Sequence, residues 1–431
     1  MAIYNKNTHQ YLGDNKTLFE TMMLADQYGN QISGANPTGM AVDAFGRMRV
    51  SNPLTLFDSY NRYVDTGKFA TGTSGSANTS FDANSATLNM NVTTASGDEA
   101  VRESTKVFAY QPGKSLQILT TFIMNEPKTN LRQRAGYFST QNGIYLEQDG
   151  DTTYFVRRSY GTGSVTNVRV AQADWNIDKL DGTGPSLKTL DISKAQIMFI
   201  DVEWLGLGTV RCGFVIDGQL IHAHSFHHAN YTTAPYMTTA CLPVRYEITN
   251  TGTTDSISTF KQICSTVISE GGYELEGRPR SIGPAPSALT TLTTAGTSYP
   301  LVSIRLKSAR LDGIVLPKDI SFLPSANGGR LKYRIVKGAT ITGGTWTSAG
   351  DDSSVEYNLT GTAISDGVEL ANGYVGVTNQ TSTSVNLADG KFTYQLERDS
   401  IAGTAVTFTL VGVGATNGDQ AIGSIMWQEV T

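Results

Sequence analysis

The sequence predicts an all-β protein: an antiparallel β-sandwich, followed by a second, smaller β-domain and preceded by an N-terminal arm. Three observations carry this. Glycine is frequent, at 44 of 431 residues, and with Ser, Thr and Asn it punctuates the chain at short intervals. Long stretches with apolar residues at helical spacing are almost absent. Short runs of β-branched and aromatic residues recur instead, separated by turn residues. A chain of 431 residues also exceeds one ordinary core, so two or three domains are expected.

Residues 1–40 read as the arm. In "KTLFETMMLADQYG", Leu18, Phe19, Met22, Met23 and Ala25 share one helical face, which predicts a short docking helix. Residues 41–277 read as the sandwich. In "AVDAFGRMRVSNPLTLFDSYNRY" (41–63), Gly46 offers a turn, Arg47 and Arg49 alternate with Met48 and Val50, and Pro53 bars a central strand position. In "SATLNMNVTT", Ala86, Leu88, Met90 and Val92 alternate with polar residues, the period of a half-buried strand. Similar runs follow, among them "KSLQILTTFIM", "GIYLEQ", "TTYFVRRSY", "AQIMFIDVEW", "TVRCGFVIDG" and "LPVRYEITN". Such strands suit two antiparallel sheets packed face to face. Residues 278–299 are rich in Pro, Ser, Thr and Ala and read as a linker. Residues 300–431 begin a second β pattern, with "LKYRIVKG", "AVTFTLVGVG" and "GSIMWQEV" among its strands.

Charge narrows the function classes. Only 16% of residues are charged and the net charge is −5, so there is no basic footprint for nucleic acid. No run approaches the roughly 18 apolar residues of a membrane span. The start, "MAIYNKNTHQ", has no apolar core of a secretory signal. Three cysteines without that signal predict folding in a reducing cytosol, with thiols acting as small buried hydrophobes.

Four of the five histidines crowd into "IHAHSFHHAN" (221–230). Asp217-Gly218 is a strong two-residue hairpin turn. Closing the hairpin there puts Phe214, Cys212, Ile221 and Ala223 on the core face. His222 and His224 then lie together on the opposite face, beside Arg211. A His-x-His pair can ligate zinc only with further His, Cys or carboxylate ligands. A neighbouring guanidinium opposes a cation and favours neutral imidazole. The expectation is that His222 and His224, the weak metal candidates, are polar or subunit-contact residues. His227 and His228 are adjacent, so on an extended chain they point to opposite faces.

"FIDVEW" (199–204) is the sharper catalytic candidate. Laminarinase-like glycoside hydrolases carry E-x-D-x-E on a jelly-roll strand, with the outer glutamates as nucleophile and acid/base. Asp201 and Glu203 match the last two acids, but Phe199 stands where the nucleophile would be. A retaining glycosidase needs both carboxyls, so the triad is broken. The bland alternative is a strand with Met198, Ile200, Val202 and Trp204 inside and two acids outside. "DKLDGTGPS" (178–186) resembles a calcium loop, but it lacks the spacing and closing glutamate of an EF-hand and reads as a surface loop. No G-x-S-x-G, H-E-x-x-H or phosphate-cradling loop occurs. Trp175, Trp204, Tyr145, Tyr154 and Tyr160 are candidates to stack on sugar rings, although strand aromatics more often belong to a core.

"DAFGRMRVSNPLTLFDS" (43–59) resembles a segment of structural proteins of tailed bacteriophages. The likeness continues through "NLRQRAGYFSTQNGIYLEQ", the 175–218 stretch, "HHAN" and "LPVRYEITN", and so spans about residues 41–275. It implies a virion component of the tail, neck, baseplate or fibre, assembled in the host cytoplasm, and it carries no catalytic residues to this chain. Its partners would be other virion proteins and copies of itself, with a trimer the first expectation for an appendage, and a host surface glycan is a further candidate. Arg47, Arg49, Asp58 and Arg62 are the candidate subunit contacts, with intrachain salt bridges as the competing role. The fold expectation is a jelly-roll-like (concanavalin-A-like) sandwich, and the functional one a structural protein that is not an enzyme and needs no cofactor. A carbohydrate-binding receptor protein, a head decoration protein and a polysaccharide depolymerase are the rivals.

Overall fold

The computed structural model describes residues 52–64, 67–274, 276–325, 330–376, 382–387 and 392–430, together with the backbone of three short strands near the N-terminus. The chain divides into two compact units, residues 1–52 with 217–220 and all the rest. In the first, Ile3–Asn5, Gln10–Leu12 and Leu18–Glu20 form a small antiparallel sheet. Leu18 and Phe19 therefore sit in a strand, which corrects the expected helix at its start. The remainder of that expected helix, and Arg47 and Arg49, lie outside the described residues.

The second unit holds the sandwich and the C-terminal β structure. One sheet of the sandwich has seven strands in the order Thr166–Ala171, Thr152–Ser159, Gly143–Asp149, Leu131–Phe138, Val244–Asn250, Glu99–Ser104 and Phe69–Ser74. The other runs Gln219–Phe226, Val210–Ile216, Gln196–Val202, Leu116–Ile123, Ser258–Ser269, Thr87–Val92 and Asn78–Asp82, with Leu54–Tyr60 also pairing Ser258–Ser269. The core between them is what alternation predicts: Leu88, Met90 and Val92 from one strand, Met198, Ile200 and Val202 from another, and Cys212 and Phe214 from a third are all buried. Fully burying such side chains contributes about 1.5–3 kcal/mol each.

The stretch 278–299 is not a linker. Arg278–Ile282 and Thr290–Leu292 both pair with the last strand, Asp419–Val430, as part of the C-terminal fold. Arg280 fixes the first of them through Asp352, at 2.7 Å. Proline at 279 is tolerated because this strand ends its sheet, with a neighbour on one side only. Composition suggested a linker because edge strands and linkers draw on the same residues. A five-stranded and a six-stranded sheet then enclose a second core around Trp427, Phe322, Leu410 and Ile335.

The two cores are fastened together. Phe392 from the C-terminal part enters the sandwich core, its ring 4.9 Å from that of Tyr273 and nearly perpendicular to it. Ile314 and Leu316 pack into the same core. Polar bonds follow the chain on from Phe392: Lys106 donates to the carbonyls of Phe392 and Thr393, Gln395 to Val107 O at 2.8 Å, and the Arg398 N–H to Thr105 O at 3.0 Å.

Candidate functional site

The acids of "FIDVEW" fall on the face of Gln196–Val202 turned away from the core. Register places Arg211 opposite Asp201 and Gly213 opposite Phe199. Gly213 is needed there, because a Cβ would fall 2.6 Å from the Phe199 ring that lies over it. Arg211 Nη1 donates to Asp201 Oδ2 at 3.0 Å and to Glu203 Oε1 at 2.9 Å. Burial and then the charge of Glu270 push the Asp201 carboxyl up to about 6, and Arg211 offsets this only in part. Glu270 is itself anchored by the Ser115 hydroxyl at 2.6 Å. One guanidinium thus serves two carboxylates, with a third nearby.

The histidines divide. His222 is half-buried, and its Nε2 lies 2.9 Å from Ser225 Oγ and 3.1 Å from His224 O. Burial first, then Arg211 and His227, lower its pKa. His224 does not share that open face. Its ring is 5% exposed, set 4.5 Å from Phe226, and its Nδ1 accepts the Asn176 N–H. Residues 176–178 cover this edge strand. Asn176 bonds both the N–H and the carbonyl of Ser225, and the N–H groups of Ile177 and Asp178 donate to Ala223 O. No group of three His, Cys, Asp or Glu among the described residues is placed to hold a metal ion. In the loop that follows, Asp178 accepts the backbone N–H groups of Leu180 and Ser186, and Asp181 those of Thr183, so both carboxylates shape the turn.

His227 and His228 point apart, as adjacent extended residues must. His227 is exposed and bonds Thr209. His228 is 1% exposed and stacks on Tyr236 at 3.7 Å and 9°. Its Nδ1–H donates to Gly208 O at 2.6 Å, which leaves a lone pair on Nε2. Gly208 has to be glycine, since a Cβ would sit 1.7 Å from Glu203 O. Burial is the main reason the His228 pKa falls to about 4, with Arg157 and His227 adding to it. Asn142 ties the loops at this end together, its Oδ1 accepting the N–H groups of Tyr160 and Thr238. The Tyr236 N–H donates to Gly206 O. Four buried polar atoms of this end have no hydrogen-bond partner: Arg157 Nε, Trp204 Nε1, His228 Nε2 and Tyr236 Oη.

The outer face of the seven-stranded sheet carries a network that sequence reasoning missed. Arg169 bonds Glu147, Glu147 bonds Arg134, Arg134 bonds Glu247, Glu247 bonds Arg245, Arg245 bonds Glu103, and Glu103 bonds Arg398 of the C-terminal part. Burial alone would raise the Glu247 carboxyl, but Arg245 and Arg134 outweigh it and hold it at about 2. Guanidinium groups also lie over aromatic rings, Arg158 at 5.0 Å from Tyr145 and Arg169 at 4.1 Å from Tyr154. Of the proposed sugar-stacking aromatics, Trp175 and Tyr145 are therefore buried and Tyr154 is covered, while Trp204 and Tyr160 are half-buried. Arg/Glu alternation in "NLRQRAGYF", "IYLEQD" and "VRYEIT" was the available signal, but only register pairs the charges.

Of the subunit-contact candidates, Asp58 and Arg62 are described and exposed. Asp58 meets Lys68 at 4.0 Å, and Arg62 lies over the Tyr63 ring at 5.6 Å.

No protein-family model and no curated protein matches the sequence. Among solved structures, the chain is similar to a conserved carbohydrate esterase from the Shiga toxin-encoding bacteriophage phi24B, at 13% identity and a TM-score of 0.30, over 51% of this chain and 99% of that one. Bacillus licheniformis β-glucanase is 10% identical, with a TM-score of 0.33 over 49% of this chain and 96% of its own. Peanut lectin is 9% identical, with a TM-score of 0.30 over 51% and 98%.

Proposed function

We propose that this chain is a structural component of a tailed-phage virion and acts through protein–protein assembly. The observation that carries the reading is an exposed patch on a firmly joined body. Tyr60, Tyr63 and Val64 are 61%, 73% and 52% exposed, and Arg62 stands among them. Tyrosine and arginine are the residues that most often anchor protein interfaces. The patch directly follows the 43–59 segment that resembles phage structural proteins. Asp58 and Arg62 then serve as inter-subunit polar contacts. The pairing of Asp201 and Glu203 with Arg211 favours assembly over hydrolysis, because a guanidinium bound to both acids opposes their use on a glycosidic bond.

Immuno-gold labelling of purified particles tests the proposal. The expected result is label at one fixed position, with the purified chain running as an oligomer, a trimer first, that Tyr63→Ala with Arg62→Ala dissociates. Particles free of the chain, or release of reducing ends from host polysaccharide, would remove it.

A further inference from the structure

A groove of about 680 Å³ runs between the sandwich and the C-terminal part. Residues 54–58 line it, together with Lys68, Lys106, Lys337, Phe392 and Glu397. Side chains of a strand alternate between two faces, so a groove that touches five residues in succession runs along the strand's edge and meets its backbone. That edge is open. Leu54–Tyr60 pairs Ser258–Ser269 on one side, and among the described residues no strand pairs it on the other. Asp58 O turns to the groove, where it accepts Lys68 Nζ at 2.8 Å.

Three ammonium groups and two carboxylates, Asp58 and Glu397, share the groove, and their charges are unevenly matched. Lys337 holds both oxygens of Glu397, at 3.0 and 3.1 Å. Lys106 comes only within 4.0 Å of the same carboxylate, and it bonds the carbonyls of Phe392 and Thr393 instead. Asp58 lies 4.0 Å from Lys68, with its side chain 67% exposed. Lysines that guard a sheet edge against pairing extend into water. Lys106 does not: its side chain is 19% exposed and its charge is fixed at the groove. A fixed, partly buried cation that shares its carboxylate is complementary to an anionic occupant.

We propose that the groove docks an extended acidic segment of another polypeptide, which adds as a strand to the free edge of Leu54–Tyr60 and sets carboxylates against Lys68 and Lys106. Main-chain hydrogen bonds to the edge supply the affinity, and the lysines supply the selection. The strand leads directly into the exposed Tyr60 and Tyr63, so the groove and the assembly patch are continuous along the chain. The choice of a polypeptide as occupant rests on the assembly reading, but the two fail separately: particles free of the chain remove that reading, and the binding experiment below decides the groove.

The full chain is titrated with a capped peptide of about eight residues in which Thr and Glu alternate, and amide hydrogen exchange is followed on and off saturation. Saturable binding is expected, with added protection in Leu54–Tyr60. The same peptide with Lys for Glu should not bind. A version N-methylated along the backbone keeps the charges but cannot pair as a strand, and it should bind at least about 10-fold more weakly. Glutarate, a small dicarboxylate, should be weaker by at least about 10-fold as well. Lys68→Glu should weaken binding of the Glu peptide at least about 10-fold by like-charge repulsion. No saturation by about 1 mM peptide overturns the proposal. So does equal binding of the Lys or N-methylated peptide, unchanged binding in Lys68→Glu, or protection that misses Leu54–Tyr60. Glutarate binding as tightly as the peptide would mark a small-anion site and overturns it too. Protection of every Leu54–Tyr60 amide in the chain alone would show the edge already filled by this chain or a second copy, with the same consequence.

Discussion

The outer face of the seven-stranded sheet and the end of the sandwich both bury arginines, and they treat them in opposite ways. On the sheet face Arg134 and Arg245 share the carboxylate of Glu247, with Glu147 and Glu103 on either side. At the sandwich end Arg157 Nε is buried with no hydrogen-bond partner among the described residues. Paired charges reinforce a fixed architecture, whereas an unpaired one is a standing demand for a partner. The contrast separates arginines whose charge is matched within the sheet from one whose charge is not.

The largest expected effect comes from breaking the paired region. Glu247→Gln leaves two buried guanidinium groups without their shared carboxylate and should lose about 3–5 kcal/mol of stability in urea denaturation. An effect below about 1 kcal/mol would show that the network is dispensable and would erase the contrast. Phe392→Ala should lose about 3 kcal/mol by opening a cavity where the two cores join. Its unfolding should then split into two transitions, and a single unshifted transition would mean that the join lies elsewhere.

Acid separates the two regions. His224 and His228 are both held down to about 4, mainly by burial, so the unfolded chain takes up their protons first as pH falls below about 6.5. Stability should therefore be full above that pH and decline between about 6.5 and 4. Glu247, held at about 2, contributes stability that is full above about 4.5 and is lost as pH falls toward 2. Urea midpoints measured across this range should show two steps, with His228→Gln reducing the upper one and Glu247→Gln the lower one. A flat profile above pH 4.5 would contradict the assignment of buried neutral imidazoles. The smallest effect is expected at Asp201. Its carboxyl is raised to about 6 by burial and Glu270, so Asp201→Asn removes an unfavourable charge and should shift stability by about 1 kcal/mol or less at pH 7.

By itself the sequence determined the all-β class, the alternating core strands, the Asp217-Gly218 turn and the opposed directions of His227 and His228. Each depends on periods of two or on turn chemistry, and neighbouring residues suffice to specify those. The turn residues do adopt the positive φ values of 52° and 75° that such a hairpin requires. The sequence misjudged 278–299, where prolines suited an edge strand as well as a linker, and His224, whose face is covered by a loop some fifty residues earlier in the chain. Only tertiary structure decided which charges pair and which do not. Arg134, Glu147 and Glu247 become neighbours through strand register. His228 and Tyr236 stack because the connection between Gln219–Phe226 and Val244–Asn250 folds back on itself, and such a contact is set by the path of the chain in space rather than by neighbouring residues.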